Sequence, residues 1–206
     1  MSSELSKPKF IFVGNHRCLD FINTQIIENG RPVDLIGGFP NLVEWLVKAQ
    51  ILNSTDAKEA LKGWDEPHRK RIFEKAIAFR AVLRDMVERI AKGKSVQQST
   101  IDEINKMLSN RIGYYELIEL RGGFKVRFHA ESNKAIHLIV PIAELASDLL
   151  CHSSLSLIKK CENPNCILYF YDISKNHTRR WCSMNVCGNR AKVAAHYKRH
   201  QHIREK

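Results

Sequence analysis

No stretch of this chain is apolar enough for long enough to cross a bilayer. The longest run without Asp, Glu, Lys or Arg is ten residues, 149–158, and a spanning helix needs about 20 apolar residues. The opening MSSELSKPKF lacks the apolar core of a secretory signal, so the expectation is a cytoplasmic protein with no membrane partner. Repeats of solenoid length and low-complexity runs are also missing, which removes solenoid and disordered architectures. The catalytic strings G-x-S-x-G, the P-loop and H-E-x-x-H do not occur, and the expectation is that the chain is not an enzyme.

What the chain does contain is an ordinary globular mixture, 44% hydrophobic and 27% charged, with enough length, 206 residues, for one large domain or a medium domain with a small appendage. It also holds six cysteines. In a reducing compartment these read as metal ligands or buried thiols before disulfides. The net charge of +11 is lopsided: residues 159–206 carry 11 Lys+Arg against three acids, Glu162, Asp172 and Glu205, and four of the nine His. A basic block this dense meets a polyanion, most often nucleic acid, or serves as a solvated basic tail.

Hydrophobic periodicity divides the chain in two. Residues 10–13 read as a short strand, and Leu19, Phe21, Ile22, Ile26 and Ile27 as one helix. Residues 29–40 are rich in Pro and Gly and read as loop. Asn41 is placed to cap a helix to 49, and 56–63 forms another. The longest helix covers 66–92, with Ile72, Ala76, Phe79, Leu83, Met86 and Ile90 at three- and four-residue spacing. A helix from 99 or 100 to 110 precedes two β-type runs, 114–120 and 124–129, joined through Gly122-Gly123. Residues 138–151 return to a helical pattern, with Pro141 in the first turn. The fold class expected is α+β: a mostly helical N-terminal domain with a small β-hairpin over 1–152, then a small four-cysteine finger over 153–206, arranged knuckle–hairpin–knuckle–helix.

The finger rests on two matched pairs, Cys161-x4-Cys166 and Cys182-x4-Cys187, separated by 15 residues. Two closely spaced thiolate pairs suit a tetrahedral Zn²⁺, each pair bending the backbone around one edge of the metal. Zinc is favoured over an iron–sulfur cluster, whose spacings are absent. Closure by four protein ligands points to one structural zinc. A segment of this size has too small a core to hold its shape unaided, so the metal supplies the missing free energy. Cys18 and Cys151 read as plain buried thiols.

The string Cys161-x4-Cys166-x3-Phe170-x-Asp172-x-Ser174-Lys175-Asn176-x2-Arg179-Arg180-Trp181-Cys182-Ser183-Met184-x2-Cys187-Gly188-Asn189-Arg190 resembles the CGNR zinc finger, named for its last four residues. The region before it looks like the ABATE domain of stress-induced bacterial transcription regulators, through Gly14, Leu19-Asp20-Phe21-Ile22-Asn23-Thr24, Leu42-x2-Trp45-Leu46 and Phe79-Arg80-x2-Leu83. The resemblance implies a bacterial regulator with an N-terminal sensing domain and a C-terminal DNA-binding finger.

Several residues are candidates for those roles. Lys175, Asn176, Arg179 and Arg180 lie in a loop of cations and hydroxyls suited to phosphate oxygens. Arg190, Lys192, His196 and Arg199 follow on a basic helix that is able to enter a major groove of double-stranded DNA. Arg179 and Arg190 have a second reading, as hydrogen-bond donors to the knuckles. Trp181 and Tyr169 read as core around the metal before they read as stacking platforms. Asp20, Asn23 and Arg80 are polar residues among apolar neighbours. They either line a pocket for a small-molecule effector or form a satisfied buried network in which Asp20 pairs with Arg80. A homodimer would double the DNA contacts of one short finger. The rival function is an RNA-binding or protein-docking finger.

Overall fold

The computed structural model describes residues 10–130 and 135–193. The helices are α1 (Arg17–Ile22), α2 (Phe39–Lys48), α3 (Ser54–Gly63), α4 (Glu66–Ala91), α5 (Gln98–Leu108) and α6 (Val140–His152). Among the described residues there are also three separate antiparallel pairs: β1 (Gln25–Glu28) with β2 (Arg31–Asp34), β3 (Gly113–Leu120) with β4 (Gly123–Ala130), and β5 (Ile158–Lys160) with β6 (Tyr169–Tyr171). The result is the α+β, largely helical arrangement expected, with the four cysteines gathered at its C-terminal end. Among the described residues, no helix is long and apolar enough to cross a membrane.

Helix starts follow local chemistry. Asn53 Oδ1 accepts the amides of Thr55 and Asp56, and Asp65 Oδ1 accepts the amide of His68, so α3 and α4 each begin on a side-chain cap. Pro sits in the first turn of α2, α4 and α6, where its missing N–H costs nothing. The long helix α4 lays Ile72, Ala76, Phe79, Leu83, Met86 and Ile90 into the core, as its spacing predicts. The short helix α1 is central: it packs on both α4 and α6 and buries Cys18, Leu19, Phe21 and Ile22. Trp45 of α2 reaches Phe21 at 5.0 Å between ring centroids.

The structure departs from the sequence reading in several places, among them residues 31–34, which form β2 where the sequence reads as loop. Residues 10–13 form no strand; Ile11 and Val13 pack on the cysteine cluster instead. Ile26 and Ile27 leave the helix and join β1, because Asn29 and Gly30 both take positive φ, 50° and 77°, and make the tight turn that closes a hairpin with β2. Helix α2 starts at Phe39, with Gly38 rather than Asn41 at its cap position. Cys151 is exposed, in contrast to Cys18.

The main core does not stop where the helical domain was expected to end. Ile158 and Tyr169, from the two strands flanking the first cysteine pair, are buried in the same cluster as Leu83 and Trp45.

Candidate metal centre and its basic rim

Strands β5 and β6 pair in register, Ile158 opposite Tyr171 and Lys160 opposite Tyr169, and so pinch the chain between them into the first knuckle. Within it, Asn163 Oδ1 accepts the Asn165 amide at 3.0 Å and the Asn163 carbonyl accepts the Cys166 amide at 2.9 Å. This folds Cys161 and Cys166 towards each other. The second pair is brought round by residues 184–188, a single wide turn in which the Gly188 amide donates to the Ser183 carbonyl at 3.0 Å. Gly188 leaves room for the Met184 and Trp181 side chains: a Cβ there would meet Met184 Sδ at 2.6 Å and Trp181 Cδ1 at 3.3 Å, so the flexible Met184 would have to move.

All four sulfurs lie within 4.8 Å of one another and all four cysteines are buried. Cys166 Sγ is 3.7 Å from Cys182 Sγ, which is 3.6 Å from Cys187 Sγ. A tetrahedron with metal–sulfur bonds of about 2.3 Å has edges of about 3.8 Å, so the spacing fits a zinc ion and is far too long for a disulfide. The Cys182 amide also points at Cys161 Sγ, 3.4 Å away, as a donor to a thiolate does. Hydrogen bonds from the thiols of Cys166 and Cys182 pull Cys161 down, and the same contacts push Cys166 and Cys182 up. Four thiolates in one buried cluster therefore require a multiply charged cation among them.

The loop between the knuckles is built around Asp172, which is fully buried. Its carboxylate accepts from Lys159 Nζ at 2.7 Å, from the Ser174 amide at 3.0 Å and hydroxyl at 2.6 Å, and from the Arg179 amide at 3.0 Å. Burial by itself would raise this carboxyl, but the Lys159 ammonium and the Ser174 and Arg179 donors more than offset it and hold the group well below the usual carboxylate range. Arg179 is also turned inward. It lies over the Phe170 ring at 4.2 Å and donates to the carbonyls of Trp181, Val13 and Cys182.

The finger is locked to the helical domain. Asn23, fully buried at the end of α1, donates to the Tyr169 carbonyl at 2.8 Å and accepts the Tyr169 amide at 2.9 Å. Arg84 of α4 donates to the carbonyls of Ile22 and Ile167 at 2.9 and 3.1 Å, and burial lowers its guanidinium from the usual arginine range. The Gly14 carbonyl accepts the Tyr171 amide at 2.8 Å. Sequence reasoning did not single out Arg84, Asp34 or Lys159; each is one charged residue among many.

The site residues named from sequence separate into two groups. Lys175, Asn176, Arg180, Arg190 and Lys192 are exposed around the knuckles, with Arg180 paired to Glu162 at 2.6 Å and its guanidinium 5.2 Å from the Trp181 ring. Arg179, expected on DNA, has its guanidinium committed to three protein carbonyls. His196 and Arg199 lie outside the described residues. Asp20, Asn23 and Arg80 are buried with protein partners, and the expected Asp20–Arg80 pair does not form. Asp20 accepts the Gly14 amide at 2.8 Å and Arg17 Nη1 at 3.4 Å, while Arg80 grips Asp34 and the Thr24 hydroxyl. Tyr169 is in the main core and Trp181 is half-buried against the cysteine cluster.

The family model described as "Putative stress-induced transcription regulator", the ABATE domain, matches residues 15–153. The chain belongs to the ABATE family. The CGNR zinc finger model matches residues 158–200, over all four clustered cysteines. No curated protein matches the chain. In this ABATE protein Cys161, Cys166, Cys182 and Cys187 form the site of a single structural zinc, which neutralises their thiolates and contributes to the folding free energy.

Proposed function

We propose that this protein is a bacterial, cytoplasmic transcription regulator whose finger binds double-stranded DNA and whose helical domain answers a small-molecule or stress signal. The observation that carries the reading is the division of labour among the finger's cations. Lys159 and Arg179 are used inside, on Asp172 and on carbonyls, whereas Lys175, Arg180, Arg190 and Lys192, close to the metal-binding cysteines in sequence, are exposed. Among the described residues, Lys175, Arg190 and Lys192 form no ion pair, which suits them to phosphates. A metal with four protein ligands has no open position for water, which supports a binding role over catalysis. The domains proposed remain 1–152 and 153–206, with the hydrogen bonds at Asn23, Arg84 and Val13 as the path by which a signal in the first alters the second.

The test is a binding titration of the zinc-loaded chain at several salt concentrations, against duplex DNA selected from a random pool and against single-stranded RNA. Duplex should win at matched salt. Arg190→Ala with Lys192→Ala should flatten the logarithmic salt dependence by one to two units, at about 0.9 for each phosphate no longer neutralised. Preference for RNA, or an unchanged slope in a folded, zinc-loaded double variant, defeats the reading.

A further inference from the structure

The ribbon made by β3 and β4 serves neither the metal centre nor the core. Its strands pair over eight residues each, Gly113 opposite Ala130 to Leu120 opposite Gly123, and none of its apolar side chains joins either hydrophobic cluster. The register sorts its side chains by face. One face carries Tyr115, Leu117, Phe124, Val126 and Phe128, with Glu119 towards the tip. The other carries Tyr114, Glu116, Lys125, Arg127 and His129 around Ile118, with Leu120 at the tip; here His129 bonds Glu116 at 2.6 Å and stacks on Tyr114 at 5.4 Å. This face is mainly polar, although Tyr114 and Leu120 on it are 56% and 51% exposed. The other face is mainly apolar and exposed over more side chains: Tyr115 is 68% exposed, Leu117 66%, Phe124 72% and Val126 56%. A lone two-stranded ribbon is marginal in water, and an apolar face of this kind marks an interface.

We propose that this face packs on the same face of a second copy of the chain, two ribbons stacking about a two-fold axis into a four-stranded sandwich. Size supports that occupant: the exposed side chains offer on the order of 500 Å² per copy, so on the order of 1,000 Å² in the pair, the lower bound for a specific interface. Charge selects the geometry. Strand β3 carries acids only, Glu116 and Glu119, and β4 bases only, Lys125, Arg127 and His129. Edge-to-edge pairing of β3 with β3, or of β4 with β4, would set like charges side by side. Pairing β3 with β4 of the next copy matches charge but runs head to tail, which builds a ring or a filament rather than a two-fold pair. Face-to-face stacking avoids both. The ribbon is also aimed: Arg111 lies 3.8 Å from the Phe128 ring centroid and pairs with Glu144 on α6, anchoring the ribbon's base to the helical domain.

The experiment is sedimentation velocity of the full, zinc-loaded chain over a dilution series from about 1 to about 100 μM, the range in which an interface this small dissociates. The unmodified chain should show twice the single-chain mass at the upper end. Leu117→Glu with Val126→Glu should halve it, and Glu116→Gln with Lys125→Gln, on the polar face, should leave it unchanged. Hydroxyl-radical footprinting of the unmodified chain provides a readout that does not depend on the variants folding: labelling of Tyr115 and Phe124 should fall several-fold with concentration while that of Tyr114 holds. A chain that stays single at every concentration, a double-mass species that survives the face variant, or footprints that do not move with concentration would each overturn the proposal.

Discussion

Asp172 shows how much of the finger motif is structural. Four donors from Lys159, Ser174 and Arg179 converge on one fully buried carboxylate, and they set the path of the chain between the knuckles. Replacing it by Asn keeps the size but removes the charge that Lys159 faces and turns an amide N–H₂ towards donors. The expected loss is about 2–3 kcal/mol. Because folding of the finger and metal binding are one process, that loss should appear as zinc held roughly 30- to 150-fold more weakly in competition with a chromophoric chelator. The sign of any pH dependence follows from the depressed carboxyl. Its contribution is complete above the ordinary carboxylate value and fades only as pH falls through the folded one. The gap between wild type and Asp172→Asn should thus stay constant from about pH 8 to about pH 6. Residues of this kind explain where sequence reading succeeds. Four cysteines in matched pairs have few other uses, so the metal centre was legible from their spacing alone. The role of Arg179 was not, because a guanidinium suits a phosphate and a knuckle carbonyl equally well, and only the fold shows which lies within reach.

Among elements, the seam between helical domain and finger was the least legible part. Residues 10–13 have strand composition, yet they act as a strap across the finger. The Asn29-Gly30 turn hid among neighbouring Pro and Gly residues, although its dipeptide is a strong hairpin signal. Long helices declared themselves because many positions repeat the same period, whereas a seam consists of single residues from distant parts of the chain. Asn23 is its centre. Its side-chain amide makes two buried hydrogen bonds to Tyr169, 146 positions away. Asn23→Ala leaves a buried N–H and a buried carbonyl without partners and should cost about 2–4 kcal/mol. Differential scanning calorimetry should record this as a fall of roughly 5–15 °C in the main transition. A fall of a degree or less would show that the seam yields to water and that the two parts are more loosely joined than the hydrogen bonds imply.

For the whole molecule, the consequence is that zinc stabilises more than the finger. Ile158 and Tyr169 belong to the main core but are held there by strands that lead into and out of the first knuckle. Stripping the metal frees the knuckle, draws these two side chains out of the core, and strands Asn23 and Arg84 against solvent. Burial of two large side chains together with their hydrogen bonds corresponds to about 3–6 kcal/mol, so chelation should lower the transition of the helical domain by roughly 10–20 °C as well as unfolding the finger. A finger on a free linker would behave differently: chelation would erase its own signal and leave the helical domain untouched. Combining chelation with Asn23→Ala separates the two cases. If zinc acts on the helical domain through the seam, the two perturbations overlap and their effects fall short of additive by at least about 1 kcal/mol. If they simply add, the core continuous across residues 158 and 169 does not carry the coupling, and any signal between the domains must take another route.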